Sequence, residues 1–216
     1  MTKKQADIVI KILSSLYEGA KPALSYTSEY ELLVAVMLSA QCTDERVNRI
    51  TSVLFKNYNT PLKMATLSQS ELAKIIFPCG LNNSKAKNIL SATNSIIKNF
   101  NGQVPNNFED LISLDGVGRK TADVMLSVAF NKDAIAVDTH VFRVSNRIGL
   151  ANGKTPYKVE MQLMQILDKD VWSKAHHYLI YHGRRVCKAQ KPNCQNCALN
   201  DHCKYYKKSR INKNDK

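Results

Sequence analysis

The sequence predicts an all-α fold of roughly ten helices, because apolar residues recur at intervals of three and four through most of the chain. This is the spacing of residues on one face of a helix. Only one stretch resembles a β-strand, residues 134–137 (Ala-Ile-Ala-Val). It is too short and too isolated to build a sheet.

Capping signals mark the helices of the first half. Residues 8–17 form an apolar helical stripe, and Ser28 with Glu31 predicts a capping box before the next, apolar helix. Ser68 with Glu71 repeats that signal. The remaining periodic segments of this half predict helices over residues 47–54, 84–100, 105–111 and 119–130.

The second half begins after residues 131–138, which we interpret as the boundary between two helical halves. Thr155 followed by Pro156 predicts a helix start, because Pro is favoured at the first helical position. That helix runs to about residue 167, and two others are predicted over residues 139–149 and 170–182.

The chain is strongly basic. Its 216 residues contain 31 Lys and Arg against 18 Asp and Glu, a formal net charge of +13. Such a charge attracts polyanions, although a solvated surface with a basic tail has the same composition. A hydrophobic content of 44% excludes wholesale disorder. No apolar run approaches the ~20 residues of a membrane-spanning helix, so we expect no membrane partner.

The N-terminal residues predict neither a signal peptide nor a transit peptide, because charged side chains interrupt the apolar positions from Lys3 to Lys11. We therefore expect a cytoplasmic protein. Disulfides are not expected in that reducing compartment. Cys42 and Cys79 are interpreted as small buried hydrophobic residues.

Four cysteines near the C-terminus predict a metal centre with the spacing C-x6-C-x2-C-x5-C: Cys187, Cys194, Cys197 and Cys203. A structural zinc site usually combines two C-x2-C pairs separated by a dozen or more residues. Only one such pair is present here. Four thiolates on one compact loop suit a [4Fe–4S] cluster, with zinc or unligated thiols as the alternatives.

A glycine-rich turn separates two helical patterns at residues 114–120 (Leu-Asp-Gly-Val-Gly-Arg-Lys). Gly116 and Gly118 flank Val117, which permits a tight turn and close backbone approach. The N–H groups of such a turn and of the next helix converge on one spot that binds phosphate. We interpret these residues, with Arg119, as a helix-hairpin-helix that grips the DNA backbone. A plain turn between helices would show the same short pattern.

Lys120 falls in the first turn of the helix after Gly118. A cation is disfavoured there, because the helix dipole is positive at its N-terminus and Arg119 adds a second positive charge. Both effects favour the neutral, nucleophilic amine. Lys120 is therefore a candidate Schiff-base nucleophile, with a solvated surface lysine as the alternative.

Asp138 ends the uncharged run 134–137 and precedes Thr139 and His140. A carboxylate in this place either caps the next helix or takes part in chemistry. Both roles are compatible if the helix N-terminus faces a cleft.

Together these motifs resemble the endonuclease III family of DNA repair glycosylases. The resemblance covers nearly the whole chain. It rests on residues 38–41 (Leu-Ser-Ala-Gln), 80–81 (Gly-Leu), 116–122 and 136–143, and on the four cysteines in this order.

The resemblance implies two all-α domains with a DNA-binding cleft between them. Residues 22–132 would form a helical barrel domain with the hairpin. Residues 1–21 and 133–216 would form a discontinuous domain with the N-terminal helix, the C-terminal helices and the [4Fe–4S] cluster loop. We expect a monomer.

The resemblance also implies the reaction. The substrate would be double-stranded DNA with a damaged pyrimidine or an abasic site, and the damaged nucleotide would be flipped out of the stack. Lys120 would attack the sugar C1′, expel the base and form a Schiff base whose β-elimination cuts the strand on the 3′ side. Asp138 would stabilise positive charge on the sugar. Gln41 would fill the gap left by the flipped base, and Leu81 would wedge between bases.

The loop between Cys187 and Cys194 carries Lys188 and Lys191. Two metal ligands would pin its ends, and a rigid basic tip loses little freedom on binding a phosphate. We therefore expect both lysines to contact DNA, with solvated lysines as the alternative.

The chain departs from the family pattern at Asp115, where the family commonly has proline. Two other functions compete with a bifunctional glycosylase and lyase. A monofunctional glycosylase for mismatched adenine or thymine would lack a lysine at the position of Lys120. A non-enzymatic helix-hairpin-helix DNA-binding module would leave Lys120 and Asp138 without a role.

Overall fold

The computed structural model of the protein describes residues 1–20 and 22–214, with the backbone alone for residues 210–214. The described residues are helical, without a β-strand, which confirms the all-α class. Their α-helices, numbered in chain order, are α1 (Lys3–Leu16), α2 (Glu29–Leu38), α3 (Asp44–Asn57), α4 (Pro61–Met64), α5 (Gln69–Ile75), α6 (Asn82–Asn99), α7 (Phe108–Ile112), α8 (Arg119–Val124), α9 (Thr139–Ile148), α10 (Pro156–Ile166), α11 (Trp172–Arg185) and α12 (Lys204–Asn214).

Short helical turns complete the described secondary structure. Three are 3₁₀ helices, at Phe77–Cys79, Lys169–Val171 and Asn200–His202, and α8 continues into a π-helical turn at Met125–Ala129. The chain divides into two compact units, Met1–Lys21 with Asp133–Lys216, and Pro22–Lys132. None of the helices in the described residues is both long and apolar enough to cross a membrane.

The Pro22–Lys132 unit is built around α2. Every residue of α2 after Glu29 is buried, as expected of a helix that is apolar on all sides. It packs against α3, α6 and α8. α6 presents one buried stripe to this core through residues at intervals of three and four, namely Lys85, Ala86, Ile89, Ala92, Thr93 and Ile96.

Several helix starts differ from the sequence prediction, and one of these is α7, which begins at Phe108 and not at the predicted residue 105. At α2, Ser28 accepts the backbone N–H of Glu31, but the Glu31 carboxylate accepts the N–H of Thr27 at 2.6 Å instead of that of Ser28. The predicted reciprocal box therefore does not form there, whereas it does form between Ser68 and Glu71. α6 begins at Asn82, before the predicted Ser84.

The other unit packs α9 and α1 against α11. Residues 134–137 are all buried in this unit and belong to neither a helix nor a strand. Burial of the whole segment explains why this run is uncharged. The buried run ends directly before Asp138, a predicted site residue that precedes α9.

Candidate active site and nucleic-acid interface

The predicted hairpin is a tight turn between α7 and α8. The N–H of Val117 donates to the carbonyl of Leu114 at 3.0 Å, and both side chains are buried. Gly116 has φ +78°, and a Cβ there would lie 2.8 Å from Cβ of Asn88. Glycine is thus required at position 116 by conformation and by packing on α6.

At Gly118, neither a left-handed backbone nor close packing requires a glycine. It is the N-cap of α8 with an extended backbone, and a Cβ there would meet nothing within 4 Å. No contact in the described residues demands its lack of a side chain. The open space above Gly118 is suited to close approach of an external group, because the first N–H groups of a helix lack intrahelical partners.

Lys120 is exposed in the first turn of α8, directly after the hairpin. Its neighbour Arg119 is directed elsewhere, since its guanidinium lies 4.5 Å from the centre of the Phe108 ring on α7. The lysine side chain therefore stands in solvent at the N-terminal end of the helix. This is the placement that the sequence pattern predicts.

Asp115, at the family's usual proline position, is tied to α6. Its Oδ2 accepts a hydrogen bond of 2.5 Å from the Ser91 hydroxyl. A side-chain tether thus takes the place of a proline ring in holding the entrance of the hairpin.

Gln41 and Leu81 lie at the tips of two loops of this unit. Gln41 lies between α2 and α3 with φ +55°, and Leu81 follows Gly80 with φ +50°. Left-handed backbone is uncommon for residues other than glycine and is costly for a bulky one. Both residues are exposed, and Leu81 retains 60% of its accessible surface. Two strained, protruding side chains are consistent with insertion into a partner.

A buried lysine that the sequence analysis missed joins these two loops. Lys85 is only 7% exposed, and its Nζ donates to the carbonyls of Leu38 at 2.9 Å and Cys79 at 3.0 Å. The signal was present, because Lys85 lies on the apolar stripe of α6, four residues before the buried Ile89.

Cys42 and Cys79 approach each other beside these loops. Cys79 is buried as predicted, while Cys42 is half-buried. Burial, followed by the neighbouring Cys42 thiol, raises the pKa of Cys79 to about 11. Cys79 is therefore a protonated, unreactive thiol near neutral pH.

Asp138 is the N-cap of α9. Its Oδ1 accepts the backbone N–H groups of His140 and Val141, each at 2.8 Å, and its Oδ2 lies 3.2 Å from Nδ1 of His140. Burial raises the pKa of this carboxyl, but the N–H of Val141 and the charges of His176 and His140 outweigh burial. The net pKa of Asp138 lies below its ordinary value, so the group is a carboxylate near neutral pH.

The four C-terminal cysteines line one small cavity together with His182, Leu199 and Tyr205. Burial and the neighbouring thiols raise the pKa of Cys194, Cys197 and Cys203. Within the described residues, no group of three or more His, Cys, Asp or Glu side chains is arranged to hold a single metal ion.

His182 connects this cavity to α1. Its Nε2 lies 3.5 Å from the Cys197 sulfur, and its Nδ1 lies 3.0 Å from the Tyr17 hydroxyl. Burial lowers the pKa of His182 to about 4, so the ring is neutral near pH 7. A neutral imidazole held at both nitrogens supplies a fixed polar contact to one thiol.

Two arginines of α9 hold the cysteine loop, and the sequence analysis missed both roles. Arg143 donates to the carbonyls of Gly183 at 3.0 Å and Cys187 at 3.1 Å. Arg147 donates to the carbonyls of Lys188 at 2.7 Å and Ala189 at 2.9 Å. The backbone of the basic tip is thus anchored independently of any metal, while Lys188 and Lys191 are exposed.

Comparison with known proteins places these features in one family. Residues 34–169 match the HhH-GPD superfamily base excision DNA repair protein family. Endonuclease III of Rickettsia conorii is 51% identical over 205 residues, covering 94% of this chain and 98% of that protein. Endonuclease III of Haemophilus influenzae is 48% identical over 202 residues, covering 92% and 96%.

Solved structures with the same fold lead to the same family. A trapped endonuclease III–DNA covalent intermediate has a TM-score of 0.92 at 43% identity, covering 97% of this chain and 99% of that chain. A thermostable thymine-DNA glycosylase has a TM-score of 0.86 at 23% identity, which supports the fold alone. The chain belongs to the endonuclease III family within the HhH-GPD superfamily. Its enzymatic class is a DNA glycosylase with abasic-site lyase activity.

Proposed function

We propose that this protein excises oxidised pyrimidines from double-stranded DNA through Lys120 and then cuts the strand 3′ to the abasic site. The observation that carries the proposal is the position of Lys120, exposed one residue beyond the start of a helix that follows a tight hairpin. A group bound by its phosphate at the hairpin would have its sugar within reach of that amine.

Lys120 acts as the nucleophile. Its amine attacks C1′ of the flipped nucleotide and expels the base. Ring opening leaves a Schiff base, and loss of the proton at C2′ then eliminates the 3′ phosphate.

Asp138 stabilises the positive charge that develops on the sugar. The backbone N–H groups at the start of α9 fix one of its oxygens, so the carboxylate is pre-oriented. Its lowered pKa keeps it ionised throughout the neutral range. Capping and chemistry are thus compatible uses of the same side chain.

The DNA contacts divide between two kinds of residue. The hairpin residues Gly116–Arg119 and the basic tip at Lys188 and Lys191 bind phosphates without reading sequence. Gln41 and Leu81 enter the duplex, where they replace the flipped nucleotide and hold the stack open.

The four cysteines hold a [4Fe–4S] cluster. Four thiols around one cavity match the ligand number of such a cluster, and the single C-x2-C pair in this segment is unlike the two pairs of a usual structural zinc site. When bound, the cluster supplies metal–thiolate bonds that fix the loop. Residues 187–203 then present the basic tip in one conformation.

The two compact units correspond in this proposal to a barrel domain at residues 22–132 and a cluster domain at residues 1–21 and 133–216. We infer a monomer that works on nucleoid DNA in the cytoplasm. Duplex DNA carrying a damaged base is its partner.

One gel separates the three candidate activities. Labelled duplexes, one with a single oxidised pyrimidine and one each with a mismatched adenine or thymine, are incubated with the protein and resolved directly or after hot alkali. A glycosylase with lyase activity yields a strand break before alkali, with a 3′ unsaturated aldehyde. A monofunctional glycosylase yields a break only after alkali, and a binding module yields none. Either of the last two results contradicts the proposal.

A further inference from the structure

Lys85 stands out as a buried lysine whose partners are backbone carbonyls. The carbonyl of Leu38 ends α2, and that of Cys79 ends the 3₁₀ helix Phe77–Cys79. The last carbonyls of a helix have no intrahelical acceptor role and carry the negative end of the helix dipole. One side chain therefore caps two helix C-termini.

Those two helix ends lead into the two loops with left-handed residues. Gln41 follows Leu38 by three residues, and Leu81 follows Cys79 by two. The two carbonyl oxygens lie within about 6 Å of each other, because both contact the same nitrogen. The backbone N–H of Lys85 also donates to the carbonyl of Leu81 at 2.9 Å.

We propose that Lys85 is a positioning residue for DNA repair, which sets the spacing between Gln41 and Leu81 so that both enter the duplex together. This inference rests on the proposed insertion of Gln41 and Leu81. A strained backbone conformation persists only where surrounding contacts determine it, and Lys85 makes three of the hydrogen bonds that do so here. Lys85 does not touch the substrate and is not a catalytic residue.

The test compares two substrates on one protein preparation. The first is a duplex with an oxidised pyrimidine, where the damaged base must be extruded and its gap filled. The second is a single-stranded oligonucleotide with an abasic site, where no stack has to be opened. Lys85→Met is compared with Lys87→Met, a matched change at an exposed lysine of the same helix.

We expect Lys85→Met to slow single-turnover excision on the duplex by about 10- to 100-fold, as for a misplaced reacting group. Borohydride trapping on the single strand should match the parent enzyme, and Lys87→Met should match it on both substrates. In a Gln41→Ala/Leu81→Ala background, Lys85→Met should have little further effect, because the residues act as a unit.

Equal losses on both substrates would show a general structural role and overturn the proposal, as would an unchanged duplex rate. If Lys85→Met does not fold, Lys85→Gln, which keeps a shorter N–H donor, enters the same comparison. Failure of the proposed function itself is distinguishable. If excision itself fails, the parent enzyme releases no base from the damaged duplex; if only the insertion fails, the Gln41→Ala/Leu81→Ala enzyme excises from the duplex at the parent rate.

Discussion

The guanidinium of Arg147 donates to the backbone carbonyl of Lys188 at 2.7 Å, which ties the basic tip of the cysteine loop to α9. The same side chain also bonds Ala189 and lies 4.9 Å from the centre of the Tyr205 ring. A planar fork can satisfy adjacent carbonyls in a way that a lysine cannot. α9 therefore carries Asp138 at its start and, near its end, the anchor of the loop that we propose contacts DNA.

Arg147→Lys should weaken binding to duplex DNA by about fivefold, or ~1 kcal/mol, because the tip loses a fixed hydrogen bond but no charge. Fluorescence anisotropy on damaged and undamaged duplexes measures this. Arg49→Lys, at an exposed arginine paired with Glu45, is the matched control and should bind as the parent does. An unchanged affinity for Arg147→Lys would show that the tip needs no anchor.

Lys191→Ala should weaken binding to all duplexes alike and flatten the plot of log affinity against log salt by about 1, as for one lost phosphate contact. Iron content should not change, because no ligand is altered. Lys154→Ala, at another exposed lysine, provides the comparison. An unchanged salt slope with a fall in iron would identify the loop as a metal-binding segment only.

Lys120→Gln should abolish borohydride trapping and strand cleavage while DNA affinity is retained. The amide keeps most of the side-chain volume but has no lone pair available for attack on C1′. Denaturing gels of trapped complexes report the adduct directly. A Lys120→Gln protein that still cross-links to DNA would require a different nucleophile.

Asp138→Asn should lower the single-turnover rate by ~10²–10³-fold with little change in affinity, since the group acts on a charged transition state. The fold should survive, because Asn is also a good N-cap. Lost affinity at an unchanged rate would leave Asp138 with its capping role alone.

The same carboxylate predicts a pH dependence. A folded-state pKa below the unfolded value stabilises the native state above the unfolded pKa. That stability is lost as pH falls through the lower, folded pKa. Urea unfolding of the parent should therefore show an acid-side loss below about pH 4 that is smaller in Asp138→Asn. Identical profiles would remove this carboxyl from the stability of α9.

The purified protein should be yellow-brown with about four irons per chain, from the composition of a [4Fe–4S] centre. Cys194→Ser should lower iron content and destabilise residues 187–203, because metal binding and local folding are coupled. Cys79→Ser, outside the cluster loop, should keep its iron. One zinc and no iron in the parent would replace the cluster with a zinc site.

Much of the site was visible in the sequence because it is encoded locally. The residues around Gly116 predict its tight turn. The position of Asp138 directly before a predicted helix indicates its capping role. The four thiols lie within one short segment, so their meeting needed little knowledge of the fold. The recurrence of apolar residues at intervals of three and four likewise predicted the all-α class, since it depends on spacing along one helix.

The contacts that escaped prediction join residues distant in sequence or involve backbone groups. Lys85 binds carbonyls 47 and six residues away, and carbonyls carry no residue identity to recognise. Arg147 reaches a loop 41 residues later for the same reason. At α2 the error was local, because the N–H and the hydroxyl of Thr27 both bind the Glu31 carboxylate, at 2.6 Å and 2.8 Å.

Three successive turns of α6 meet the elements proposed to hold DNA. Lys85 secures the loops of Gln41 and Leu81, Asn88 packs under Gly116, and Ser91 bonds Asp115 at 2.5 Å. The rise of a helix sets an axial distance of about 9 Å between Lys85 and Ser91, the first and last of these contact residues. A side-chain substitution can weaken one of these contacts but cannot change the axial distance between them. A one-residue insertion between Lys85 and Ser91 would rotate them by about 100° relative to each other and uncouple backbone grip from base insertion.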